Sequence, residues 1–196
     1  PRFANELTRD GLEQEINEAI QLARAQGARA LSLAGMLPSL TLYGFSVNSD
    51  TTGHAATVVA VVMTIEKLMT RLALSLSDLD LAVIGFGSIG QSSLSLLLEV
   101  LPHPRSIQIC DPARSERPMI ELRDTYAGPI ELHSEPSYEA DLILGASSVG
   151  GILDVGRLSP GTIVADDSFP PLFSHASALQ RMRQEKDVLL VGAGKL

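Results

Sequence analysis

The chain has 196 residues, 45% of them hydrophobic and 19% charged, with a net charge of −8. This profile fits one globular domain, with or without an accessory layer, and its acidity, with no basic run anywhere, argues against a nucleic-acid partner. The one cysteine, Cys110, excludes an internal disulfide framework and any multi-cysteine zinc site, and the longest apolar run, about 55–65, falls short of the ~18 residues of a membrane span.

In chain order, Leu7 to Gln26 predicts a helix, because Leu12, Ile16, Ala19, Ile20 and Ala23 recur at helical spacing and Gly27 stops the run. Ala28 to Gly35, ARALSLAG, predicts a short buried strand. The stretch MLPSLTLYGFSVNSDTTG, broken by Pro38, Gly44 and Gly53, predicts an irregular or hairpin segment. Ala55 to Leu74 predicts a long helix, although Thr57, Val58, Val59, Val61, Val62, Thr64 and Ile65 are β-branched and disfavour it. Thr51, Thr52 and Gly53 offer caps at its start.

From Leu81 onward strands and helices alternate. Strands are predicted at Leu81–Gly85, Ser106–Cys110, Ile130–His133, Leu142–Gly145, Thr162–Ala165 and Val188–Val191. Helices are predicted at Gly90–Leu101, near Ser115–Thr125, and at Pro171–Arg183, with loop and one turn between Ser147 and Pro160. Few aromatic residues and no Trp leave small aliphatic side chains to fill the interior, as in sheets buried on both faces. The expected fold class is therefore α/β: a doubly wound parallel sheet of the Rossmann NAD(P)-binding type, behind an N-terminal partial α/β layer. The expected division is residues 1–77, a partial substrate-side segment with its linking helix, and residues 78–196, the dinucleotide-binding domain.

The stretch LAVIGFGSIGQSS carries the chemistry. Gly85, Gly87 and Gly90 form G-x-G-x-x-G between an apolar strand and an apolar helix, and Asp111 ends the next strand about 20 residues on. Gly85 permits the tight turn, Gly87 lets backbone approach a pyrophosphate, and Gly90 lets helix and strand pack closely. The first amides of the helix attract phosphate. Phe86, Ser88 and Ile89 complete the predicted cofactor loop. Asp111 suits the ribose 2′-hydroxyl of NAD and repels the 2′-phosphate of NADP. Arg114 and Arg117 are placed to hold that phosphate instead, so the cofactor is NADP or NAD, with the residues leaning to NAD.

Ala146, Ser147 and Ser148 follow the strand LILG, where a small polar residue meets the nicotinamide ribose. Asp166 and Asp167 end the strand TIVA on the same edge. Adjacent strand residues point to opposite sides, so they do not form a proton-sharing pair, and Asp166 is the candidate catalytic carboxylate. His54, at a helix start, is the candidate acid–base residue, its imidazole kept neutral by nearby amides. No spacing of His, Asp or Glu predicts a metal site.

The succession LSLAG, TTGHAAT, LAVIGFGSIGQSS, ADLILGASS, TIVADDSFP and LLVGAGKL resembles the long-chain acyl-(acyl-carrier-protein) reductases of cyanobacteria. More distantly it resembles shikimate dehydrogenase-like and amino-acid dehydrogenase-like Rossmann domains. The resemblance implies an NADPH-dependent reductase of a fatty acyl thioester, small-molecule or carrier-protein bound, that releases an aldehyde. It also implies a nucleophilic cysteine after the last strand, a position Cys110 does not match. His54 stands where that family has Asn, and Asp111 departs from its NADPH preference. The missing initiator Met predicts a processed chain or a piece of a longer one. The expected function is thus an NAD(P)-dependent oxidoreductase, cytoplasmic, without a membrane span, transferring hydride to a carbonyl or acyl-thioester carbon. The alternatives are an amino-acid or imine dehydrogenase-like enzyme and a non-catalytic cofactor-binding domain.

Overall fold

Alternating strands and helices cannot bury both faces of each strand unless the strands run parallel with their crossovers laid over the sheet. The computed structural model, which describes residues 9–33, 53–111 and 116–194, shows that arrangement. Six parallel strands, β1 (Asp80–Ile84), β2 (Ser106–Cys110), β3 (Ile130–His133), β4 (Leu142–Gly145), β5 (Ile163–Asp166) and β6 (Leu189–Gly192), lie in the order β3-β2-β1-β4-β5-β6. The order reverses beside β1, which creates a crevice at the carboxyl ends of β1 and β4.

Among the described residues five helices accompany them: α1 (Arg9–Ala25), α2 (His54–Leu72), α3 (Ser88–Val100), α4 (Glu116–Thr125) and α5 (His175–Gln184). A 3₁₀ turn at Val155–Arg157 is the turn expected between Ser147 and Pro160. Side-chain alternation sorts the core into two layers. Leu81, Val83, Ile107, Ile109, Leu142 and Leu144 meet α2, α3 and α4 through Val61, Ile65, Leu94, Leu97 and Leu122. Ala82, Ile84, Cys110, Ile143 and Val164 face the other way, toward Leu153, Val155, Leu172 and Ala178 of the later loops and α5. The β-branched helix forms because Val61 and Ile65 are fully buried in this packing, which outweighs its weak propensity.

The chain divides into two compact units, residues 1–55 and 56–196. Most of α2 therefore belongs with the sheet. In the first unit α1 has its own small cluster, Leu12, Ile16 and Leu33 with Ile20 beside it. The strand expected at Ala28–Gly35 does not form over 28–33, where a single bridge residue, Ser32, stands. Alternating apolar residues make a strand only where a partner offers a ladder. Residues 34–52, which hold most of the irregular segment and the caps Thr51 and Thr52, lie outside the described residues.

Two ionic clamps brace the sheet away from the crevice. Buried Arg181 of α5 holds Asp187 by two hydrogen bonds, 3.0 and 2.9 Å, and donates to the Val155 carbonyl at 2.7 Å. At the amino edge, Arg105 Nε donates to Asp80 Oδ1 at 2.9 Å, a second guanidinium nitrogen pairs with Asp80 Oδ2, and the Ser106 hydroxyl donates to Oδ1 at 2.6 Å. The hydrogen bond from Arg105, then that from Ser106, holds the Asp80 carboxyl below its ordinary 3.8. A carboxyl lowered on folding contributes stability above its unfolded value, and that contribution vanishes as pH falls through the folded one. Arg105→Ala is expected to bring Asp80 back toward 3.8 and move the onset of acid unfolding to higher pH, read by circular dichroism during acid titration. An unchanged acid transition would mean the clamp adds nothing.

Candidate functional site

The glycine-rich corner sits where β1 runs into α3. Gly85 has φ of 90°, and a Cβ there would lie 2.6 Å from the Ala146 carbonyl oxygen and 2.7 Å from the Ser147 Cα. Only glycine combines that backbone angle with that approach. A Cβ on Gly90 would overlap the Gly85 carbonyl oxygen, so the first turn of α3 is pressed against the end of β1. Gly87 differs: no atom lies within 4 Å of its would-be Cβ. It is the N-cap of α3 at φ −75°, with no side-chain cap on the helix amides. Open space beside the first amides and the positive end of a 13-residue helix is an arrangement that attracts a phosphate group. Ser88 and Ile89, the next two residues, are both half-buried.

Sequence reading missed what steadies this loop. The Asp111 carboxylate accepts the Phe86 amide at 2.7 Å, and Gln91 Nε2 donates to the Phe86 carbonyl at 2.6 Å. The peptide units flanking Phe86 are thus held from both sides, and the Asp111 carboxylate is fixed at the head of the loop. Neither contact follows from spacing, since Asp111 reaches back 25 residues. Arg114 lies outside the described residues, as does Lys195.

The loops after β4 and β5 form the other half of the edge. Ala146 donates its amide to the Ile84 carbonyl at 2.8 Å, which places Ser147 beside Gly85. Ser147 donates its amide to the Ser168 hydroxyl oxygen at 2.9 Å, and its own hydroxyl accepts the Val149 amide at 2.9 Å. Ser168 is therefore the link between the two loops that the sequence did not single out. Ser148 is exposed on the same edge.

Asp166, the expected catalytic carboxylate, is engaged with its own loop. Its carboxylate is 8% exposed and accepts the amides of Ser168, at 3.0 Å, and Leu172, at 2.9 Å. Both oxygens are spent stapling the loop that follows β5. Asp167 points the other way, against Gly194 after β6, where any Cβ would overlap its carboxylate. His54 opens α2, half-buried, and falls in the unit formed by residues 1–55. The structure thus brings together the glycine corner, Asp111 and the Ala146–Ser148 loop.

Cys110, just before Asp111, is 6% exposed. Burial, then the neighbouring Asp111 and Glu135 charges, push its thiol up from 9.0 to about 11. A rise from 9.0 to about 11, two units, leaves about a hundredfold less thiolate at neutral pH, before shielding is counted. Iodoacetamide at pH 7.5 is expected to modify the native protein at least ~100-fold more slowly than the guanidinium-unfolded chain, as followed by mass spectrometry. Comparable rates would show a reactive thiol.

No protein-family model matches the chain. Solved structures do. L-tryptophan dehydrogenase from Nostoc punctiforme is similar over 96% of this chain and 55% of its own, with TM-score 0.57 and 18% identity. Thermococcus litoralis Delta(1)-pyrroline-2-carboxylate reductase, in complex with NADH and L-proline, is similar over 74% of this chain and 62% of its own, with TM-score 0.54 and 11% identity. Salmonella D-lactate dehydrogenase is similar over 93% and 75%, with TM-score 0.53 and 14% identity. The chain thus spans well under two thirds of the length of the tryptophan dehydrogenase and somewhat under two thirds of the pyrroline-carboxylate reductase. At these identities the likeness is one of fold: the six-stranded parallel sheet of this chain is the Rossmann-type sheet of dehydrogenases and reductases.

Proposed function

We propose that this chain is the dinucleotide-binding part of an NAD(P)-dependent oxidoreductase acting on a carbonyl or imine carbon of a small molecule. The observation that carries the reading is the open space at Gly87 on the amino end of α3, flanked by two glycines that admit no side chain. The similar structures support it, since one holds NADH and all three are reductases or dehydrogenases.

The chain's own residues bind and orient. The amides of 87–90 meet the pyrophosphate, the Asp111 carboxylate accepts a ribose hydroxyl, and Ala146, Ser147 and Ser148 line the nicotinamide half. The bound nicotinamide supplies or accepts the hydride. Asp166 is a positioning residue that holds the β5 loop. His54 is the proposed proton donor or acceptor for the substrate oxygen or nitrogen.

A thioester reduction that runs through an acyl-enzyme needs an accepting thiol, and Cys110, buried with its thiol raised to about 11, does not suit that role; direct hydride transfer to a C=O or C=N group is the proposed route. The test has two steps. Calorimetric titration with NAD+, NADH, NADP+ and NADPH is expected to show one site per chain with micromolar affinity for at least one of them, on the order of 8 kcal/mol. Turnover is then compared for an acyl thioester, a 2-oxo acid with ammonium, and a ketone. No binding of any dinucleotide refutes the proposal; consumption of the thioester alone refutes direct reduction.

A further inference from the structure

Large apolar side chains exposed singly are ordinary on a protein surface, but two together on a ligand-binding edge are not. Val149, 58% exposed, and Phe169, 73% exposed, stand on the loops after β4 and β5. The two loops are tied at this point: Phe169 donates its amide to the Ser147 carbonyl at 3.3 Å, and Ser147 donates to the Ser168 hydroxyl oxygen at 2.9 Å. One residue further along each loop, Gly150 packs so closely on Pro170 that a Cβ would come within 2.7 Å of the proline Cβ. The tie brings the pair to one place on the carboxyl edge of the sheet, a lip formed by the two loops.

From the next residues, Gly150 and Pro170, onward the same loops line an open groove of about 580 Å³. That volume falls in the range of small-molecule sites, ~300–1,000 Å³. Its apolar wall is Ile152, Pro170, Pro171 and Phe173, with Ile152 and Phe173 only partly buried. Its polar groups are engaged close by. Asp154 accepts the Gly156 amide at 2.9 Å, Ser174 caps α5, and the His175 ring stands edge-on to Phe173 at 6.5 Å. Among the described residues no lysine or arginine lines it, and the one carboxylate that does, Asp154, repels an acidic ligand.

We infer that the substrate carries an apolar limb, an aliphatic chain or aromatic ring. The limb crosses the Val149–Phe169 lip into this groove while the reacting carbon stays beside Ser147. The inference rests on the hydride-transfer reading and narrows it. Acids that carry a second carboxylate, and carbonyl compounds as small as a three-carbon oxo acid, lose the contact that the groove provides.

The experiment uses the whole chain saturated with its preferred dinucleotide in the oxidised form, and titrates two ketones, butanone and 2-decanone, by calorimetry. Decanone is expected to bind at least tenfold more tightly. Phe169→Asp and Val149→Asp are each expected to weaken decanone binding at least tenfold, leaving butanone affinity, dinucleotide affinity and melting temperature unchanged. Ile120→Asp, at a 63% exposed position on α4, is the control and is expected to change none of these. Equal affinity for both ketones, no ketone binding at all, or an equal loss in the control overturns the groove assignment. Failure of the dinucleotide to bind overturns the oxidoreductase reading instead. A chain-length preference that persists without dinucleotide then still marks the groove as an apolar site.

Discussion

Gly90→Val is expected to cost most of the folded protein, whereas Gly87→Val, three residues earlier, should fold normally and fail to bind a dinucleotide. At Gly90 the added carbon meets the backbone oxygen of Gly85, which cannot rotate away because Gly85 is itself held by its φ of 90° and by the hydrogen bond its amide donates to the Cys110 carbonyl at 2.9 Å. Relief requires α3 to lift from β1, opening the packing of buried Leu94 and Leu97. Overpacking of this kind costs ~3 kcal/mol or more where backbone must move, and each kcal/mol lowers the melting temperature of a domain this size by ~2–4 °C. At Gly87 the backbone angle suits any residue and no atom stands within 4 Å, so the loss is the ~1 kcal/mol of a poorer N-cap. The valine methyls instead fill the space over the helix amides, and dinucleotide affinity should fall at least ~100-fold, about 2.7 kcal/mol. Thermal melting and calorimetry on the two variants separate the roles. If Gly87→Val binds like the parent chain, the open space at Gly87 is not the phosphate site.

The corner was legible because its constraint is local: three glycines at fixed offsets state where backbone must turn, open and pack. The strands were legible for a related reason. A strand buried on both faces must be apolar throughout, and LAVI and LILG are, so β2, β3 and β4 fall on their expected residues and β1, β5 and β6 shift by one. What stayed hidden depends on the partner. ARALSLAG has strand composition, yet over residues 28–33 it finds one bridge and no ladder. The choice between Asp166 and Asp167 turned on which face each carboxylate met. Alternation says only that they differ; the amides that claim Asp166 come from two and six residues later, in a loop whose path the sequence does not state. The nearer of these, Ser168 to Asp166, is an Asx turn, and D-x-S after a strand was a readable signal. The Asp111–Phe86 bond was not readable at all, because it depends on β2 lying beside β1 in a register that ends Cys110 opposite Ile84.

That register underlies the second large effect. Asp111 holds a carboxylate at the end of β2, fixed by the Phe86 amide at 2.7 Å, on the side of the loop where the proposed dinucleotide would bring its adenosine ribose. A fixed negative charge accepts from a 2′-hydroxyl and repels a 2′-phosphate, and like charges in such a site cost several kcal/mol. The chain is therefore expected to bind NADH at least ~100-fold more tightly than NADPH, a difference of about 2.7 kcal/mol. Asp111→Asn isolates the charge, since its amide oxygen still accepts from Phe86. It should keep the melting temperature nearly unchanged and shrink the preference to within about tenfold. Asp111→Ala removes the acceptor as well and should lose a further ~1–3 kcal/mol of stability, because the Phe86 amide is left without its partner. Fluorescence titration with both reduced cofactors, alongside thermal melting, reads all four quantities. A parent chain that favours NADPH would place the control of cofactor choice in Arg114 and Arg117 rather than in the carboxylate. An Asn variant that keeps the full NADH preference would show that shape, not charge, excludes the extra phosphate.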